Sequence, residues 1–174
     1  MDFKNNYRNN YNNYKSFFVK FFATCFGCGF FPIFPGVIGV ILGTIISYLI
    51  HPLSFYNKFF ITFFLFVLAI PLTGEAEKLF KKKDCPKIII DEVIGVLLAT
   101  MWFTPLDLYH LTGFTNLPFV AFALVLLIFG LFDTMKIYPA IVFHKSNGGL
   151  GIVMDDIVAG IYTAITIFLL LKFF

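Results

Sequence analysis

Apolar residues come in long blocks rather than in strict alternation with polar ones. The blocks run from Phe17 to Phe31, Val37 to about Leu53, Phe55 to about Thr73, Ile88 to about Phe103, Leu117 to about Met135 and Gly151 to Leu171. Blocks without a period of two predict helices rather than half-buried strands. A membrane crossing needs about 20 apolar residues. The last five blocks approach that length and predict five transmembrane helices. The first is shorter, carries Lys20 and runs into Gly27, Gly29 and Pro32, which predicts a short interfacial or re-entrant helix. No small-residue cleavage site follows it, so it does not read as a signal peptide. The tract at 1–16 is mostly Asn, Tyr, Lys and Arg. It has no apolar periodicity and reads as a disordered, solvated tail. Residues 17–174 then form one membrane-embedded domain. The expected fold class is all-α, a polytopic membrane helical bundle.

Composition supports this reading. Hydrophobic residues make up 59% of the 174 and charged residues 13%, whereas soluble domains carry about 25% charged residues. The net charge of +3, with no basic stripe, excludes a nucleic-acid partner. Three cysteines cannot pair completely and suggest no disulfide framework. Cys25 and Cys28 have CxxC spacing, but only Cys85 could join them, so reduced thiols are a better reading than a zinc site.

Lysine and arginine placement orients the chain. Lys4, Arg8, Lys15 and Lys20 precede the first crossing. Lys78, Lys81, Lys82, Lys83 and Lys87 follow the second, and Lys136 and Lys145 follow the fourth. These three segments fall on one side, expected to be cytoplasmic, with Lys58 and Lys172 on the other. The Lys81–Lys83 run is a topology signal that would also attract anionic headgroups.

The acidic residues gather on that same side. Asp91 and Glu92 open the third crossing within IIIDEVIG, Asp133 closes the fourth within FGLFDTMK, and Asp155 and Asp156 open the fifth within GIVMDDIVAG. Carboxylates in apolar helices are expensive and by default mark function. One such acid alone is as readily a helix-dipole partner; five at one face, four of them in adjacent pairs, are not so easily dismissed. Like charges this close resist joint ionisation unless a cation sits among them. Mg2+ suits such a site because it takes oxygen ligands and leaves places for water and phosphate. Asp91 with Gly95 and Asp156 with Gly160 share an acidic-xxx-Gly spacing, and a glycine one turn beyond the acid allows close helix approach. The two segments resemble each other weakly, as a short internal pseudo-repeat would.

Other polar features fall on the same face. The turn CGFFPIFPGVIGV, with Gly29, Pro35, Gly36 and Gly39, could expose backbone N–H groups to a phosphate; alone, it reads as a simple helix break. The HKSNGGLG loop, with Gly148 and Gly149, leads into the Asp-Asp helix and invites the same pair of readings. Lys136, three residues after Asp133, shares a helical face with it and either offsets phosphate charge or snorkels to the headgroups. His51 and His110 fall on the outer side as loop residues. His144 is cytoplasmic and could contribute to the site, though a lone loop histidine is more often incidental.

Four blocks in order, GCGFFPIFPGVIG, KDCPKIIIDEVIG, FDTMKIYP and GGLGIVMDDIVAG, resemble the phosphatidylglycerophosphatase A family of bacterial inner-membrane lipid phosphatases. Together they span about residues 27 to 164. Glu75 and Glu77 in GEAEKLF also look like the acidic stretch before the family's Asp-Glu block. The resemblance implies an all-helical, multi-pass protein of the inner membrane with a cytoplasmic active site. It further implies Mg2+-dependent conversion of phosphatidylglycerophosphate to phosphatidylglycerol in phospholipid biosynthesis. Val37 and Val40 stand where the family often has Thr and Ser, Gly130 where an Arg is common, and Ile137 where Pro often follows the Lys.

The reading of the acids and the resemblance together give a metal-assisted phosphomonoester hydrolase. Asp91, Glu92, Asp155 and Asp156 are the expected metal set. Asp133 orients or deprotonates the attacking water or completes the metal shell, Lys136 offsets phosphate charge, and Gly29, Pro35, Gly36, Gly39, Gly148 and Gly149 line the headgroup. An aspartate acting as nucleophile is a variant. The rivals are a phosphatase for another lipid such as phosphatidate, a small ion or proton transporter, and a non-catalytic subunit. Oligomeric state is not legible in the chain.

Overall fold

The computed structural model describes residues 2–104, 107 and 118–173, with side chains described from residue 13 onward and, after 118, from residue 123. His110 lies outside the described residues. Among these residues the chain folds into seven α-helices, with no strand: α1 (Asp2–Ala23), α2 (Pro35–Ile50), α3 (Phe55–Phe80), α4 (Ile90–Thr100), α5 (Pro118–Met135), α6 (Ala140–Lys145) and α7 (Gly149–Phe173). A 3-10 turn at Cys28–Phe30 joins α1 to α2.

Local sequence sets the boundaries. Pro35 occupies the first turn of α2, where its missing N–H costs nothing. Ser54 caps α3 by accepting from the Asn57 N–H at 3.4 Å, and Lys81 ends it in a left-handed conformation. Of the tract expected as a disordered tail, residues 2–16 lie within α1, which begins at Asp2. From residue 2 to 23 there is no Gly or Pro to stop a helix that continues into the apolar block.

The bundle is arranged around α4, which packs against α2, α3, α5 and α7. Nearly all of α4 is buried, including Asp91, Val93, Ile94, Gly95, Val96 and Leu97. At eleven residues it is about 16 Å long at 1.5 Å per residue, roughly half a hydrocarbon core. The expectation that Ile88 to Phe103 forms a full-length crossing helix is not confirmed: the block holds a short helix sheathed by other helices. Hydropathy alone does not separate burial in protein from burial in lipid. Among the described residues, two helices, α3 and α7, are long and apolar enough to cross a membrane, while Pro35–Ile50 and Ala123–Met135 are shorter apolar stretches.

The outer surface of α3 suits a membrane. Phe59, Phe60, Phe63, Phe64, Val67 and Leu68 are all exposed, a contiguous apolar strip far beyond the scattered apolar residues of a water-facing helix. The inner surface is packed closely. Gly39 lies on Ile89 and Glu92, and Gly43 on Val93 and Val96, with no room for a Cβ at either glycine. Ser47 donates to Thr100 Oγ1 at 2.6 Å and ties the far ends of α2 and α4.

Candidate metal centre at one end of the bundle

Two glycines position the acids. A Cβ on Gly160 would collide with the carbonyl oxygen of Gly95, and a Cβ on Gly95 would lie 2.8 Å from the carbonyl oxygen of Asp156. α4 and α7 therefore touch backbone to backbone. Asp91 and Asp156 each precede their glycine by four residues, one helical turn. Both side chains are thus raised to the same end of the crossing, and both are buried. The acidic-xxx-Gly spacing acts in this way at both helices.

Asp91, Glu92 and Asp156 each bring one carboxylate oxygen within 4.8 Å of the others. Gly36 makes room for this on the α2 side, since a Cβ there would lie 2.8 Å from Glu92 Oε1. Asp133, at the end of α5, is close enough for its charge to act on Asp156 and Glu92. Asp91 Oδ1 and Glu92 Oε2 are buried without a hydrogen-bond partner among the described residues. A buried acceptor left unpaired is costly, more so when charged. Three carboxylates facing one point and two oxygens in need of a partner suit a hard divalent cation with oxygen ligands.

Asp155 stands outside that trio. Its Oδ2 accepts from Lys136 Nζ at 2.6 Å and lies 3.2 Å from His144 Nδ1. Consecutive residues on a helix point about 100° apart, so two short neighbouring aspartates do not reach the same point. Glu92, longer by one methylene, does join Asp91. Lys136 also lies 3.7 Å from Asp133 Oδ1, the i,i+3 pairing expected from their spacing. Burial alone would lower the Lys136 pKa. The hydrogen bond and charge of Asp155, with Asp133 and Asp156, outweigh it and hold the ammonium above its ordinary range.

The expected headgroup-lining residues divide by their surroundings. Gly148, with φ +86° and nothing near its Cβ position, is open; this left-handed conformation favours glycine. Gly149 is pressed against the backbone of α3 at Ile70 and Gly74, Gly29 against the Lys87 carbonyl, and Gly39 against the start of α4. These three serve close packing. Pro35 starts α2 beside Gly36.

Cys25, Cys28 and Cys85 are free thiols. Burial, with the nearby charges of Asp91 and Glu92, pushes Cys25 up to about 12, so the thiol is protonated near neutral pH.

The sequence reading left out a second layer of contacts. His144 Nδ1 also lies 3.3 Å from Asp84 Oδ2. Glu77 Oε1 accepts from the Asp84 N–H and its Oε2 from the Gly148 N–H, both at 3.2 Å. Lys83 Nζ donates to the Lys145 carbonyl at 2.9 Å. These residues sit at the end of α3, in the loop before α4, in the short α6 and in the loop before α7, where no periodicity flags them. The acidic GEAEKLF stretch and the lone histidine were the available signals.

An all-helical bundle with a membrane-suited outer surface, a largely buried carboxylate trio and a paired lysine at one end has the makings of a membrane-associated phosphate-handling enzyme. The family model for phosphatidylglycerophosphatase A matches residues 21–171, and the chain belongs to that family. It is accordingly a phosphoric monoester hydrolase with a phospholipid substrate. No curated protein and no solved structure matches the chain.

Proposed function

We propose that the chain hydrolyses phosphatidylglycerophosphate to phosphatidylglycerol and phosphate, with Mg2+ held by Asp91, Glu92 and Asp156. The observation that carries this reading is the convergence of those three carboxylates with two buried oxygens left without partners. Such an ion supplies a bound water of lowered pKa and a counter-charge for the phosphoryl oxygens.

The remaining steps belong to the chain's own groups. Asp133 orients the attacking water and accepts its proton on a carboxylate oxygen. Lys136, held charged, turns an N–H toward the equatorial phosphoryl oxygens and keeps its anchor on Asp155. The open backbone at Gly148 gives the headgroup close access. The acyl chains stay outside, against apolar helix faces.

The proposed setting is the cytoplasmic face of a bacterial inner membrane. The lysines of Lys81–Lys83, Lys136 and Lys145 flank the acidic end, as cytoplasmic loops do. In this setting α2, α3, α5 and α7 span the bilayer, and α4, buried among them, carries the chain from the acidic end toward the far face between α3 and α5. A related reading, another phosphomonoester lipid such as phosphatidate, draws support from the open space at Gly130, where the family commonly carries Arg.

The test is phosphate release from phosphatidylglycerophosphate in mixed micelles, with phosphatidate in parallel. Release is expected with Mg2+, to fall to background in excess chelator, and to return when Mg2+ is restored. Full activity in chelator would remove the ion from the mechanism. Faster release from phosphatidate would replace the substrate and leave the site intact.

A further inference from the structure

The proposed mechanism leaves Glu77, Asp84 and His144 without a task, yet they form a continuous chain of contacts ending on Lys136. Glu77, half-buried near the end of α3, uses its two oxygens on two different loops. One takes the N–H of Asp84 between α3 and α4, and the other takes the N–H of Gly148 just before α7. Asp84 faces His144 at 3.3 Å, and His144 faces Asp155 at 3.2 Å. Asp155 Oδ2 holds Lys136 at 2.6 Å. The Lys83 bond to the carbonyl of Lys145, the last residue of α6, ties the loop before α4 to that helix as well.

We infer that Glu77 is a positioning residue: by fixing both loops it seats His144 against Asp155 and thereby sets where Lys136 presents its ammonium to the substrate phosphate. The inference rests on the site reading above. The Nδ1 of His144 has a single hydrogen to give and lies between two carboxylates, so its place depends on where Asp84 is held. Asp84 is held through its backbone by Glu77. Asp155 Oδ2 is approached by both Lys136 and His144; with His144 displaced, the Lys136 anchor loses one of its two restraints. A carboxylate accepting from backbone N–H groups makes a charge-assisted bond stronger than a neutral one. Gln in its place keeps the shape and offers only one acceptor oxygen.

The experiment is a double-mutant cycle in detergent, joining Glu77→Gln with Lys136→Met and reading kcat and KM for phosphatidylglycerophosphate. Coupled residues give non-additive effects, and independent ones add. Glu77→Gln is expected to lower kcat/KM about tenfold in the otherwise native chain, mainly through KM, as for loss of a hydrogen bond to a charged group. In the Lys136→Met chain the same change is expected to matter less than about twofold. An equal loss in both backgrounds would make Glu77 merely structural and overturn the inference, as would no loss in the native chain. His144→Ala, at a half-exposed position, runs through the same cycle with the same criteria and decides the matter if Glu77→Gln does not fold. The two levels separate cleanly. If Lys136→Met alone leaves kcat/KM unchanged, the site reading fails; if Lys136→Met is impaired but the cycle is additive, only the positioning role fails.

Discussion

Helices α4 and α7 begin alike and end up serving different purposes. Each carries an acidic pair followed by a glycine, in the first turn of α4 and nearly two turns into α7, and the glycines meet at Gly95 and Gly160. In α4 both acids, Asp91 and Glu92, turn into the shared cluster. In α7 only Asp156 does, and Asp155 is taken by Lys136 and His144. The difference is one of side-chain length and surroundings. Two adjacent carboxylates on a helix share a target only if one is long enough to bend back, as Glu92 is. The shorter neighbour in α7 faces a basic side chain instead and becomes its anchor. A near-repeat in sequence thus yields an ion-holding pair in one helix and a divided pair in the other.

The largest effect should come from the acids that the two helices contribute to the common cluster. Asp91→Asn and Asp156→Asn are each expected to cost at least about a hundredfold in kcat, the order of loss when a charge-stabilising group leaves a site. Phosphate release in saturating Mg2+ measures it. Wild-type turnover by either variant would break the pairing of the two helices. Asp155→Asn is expected to cost less, about tenfold, and to act mainly on KM, because it frees Lys136 without emptying the cluster. If its loss matched that of Asp156→Asn, the division of labour within α7 would be wrong.

Smaller still, and read as stability, is Gly160→Ala. Its methyl group would run into the Gly95 carbonyl, and overpacking of this kind costs about 1–3 kcal/mol. Thermal unfolding in detergent should show a lower midpoint, with activity reduced at temperatures where the fold persists. At the bottom of the scale, Phe63→Ala on the exposed strip of α3 should change stability by less than about 0.5 kcal/mol. A large loss there would mean that α3 is covered by protein.

Much of the site was legible in the chain because helical spacing carries it. Asp91 to Gly95 and Asp156 to Gly160 announce a close crossing with acids one turn above, and Asp133 to Lys136 announces an ion pair on one face. The membership of Asp155 was not legible, since a pair of adjacent acids says nothing about which way each turns. The contacts joining Glu77, Asp84 and His144 were not legible for a related reason: they link a helix end, a loop and a short helix far apart in the chain, and such contacts leave no period. In the fold, the apolar blocks marked α2 to α5 and α7 but not the short α6, and they did not show that α4 would be sheathed by protein. A short helix sheathed by four others and a helix bathed in lipid have the same composition. The start of α1 was missed because a polar tract can remain helical when nothing in it breaks the turn.

The backbone contact at Gly95 and Gly160 acts as a fixed pivot just beneath the three carboxylates. When bilayer thickness changes, long helices adapt by tilting, and a tilt of α7 about that pivot moves its far end most and its acidic end least. The spacing of Asp91, Glu92 and Asp156 would then hardly register how thick the surrounding lipid is, so this chain should tolerate membranes of differing acyl length without retuning its chemistry.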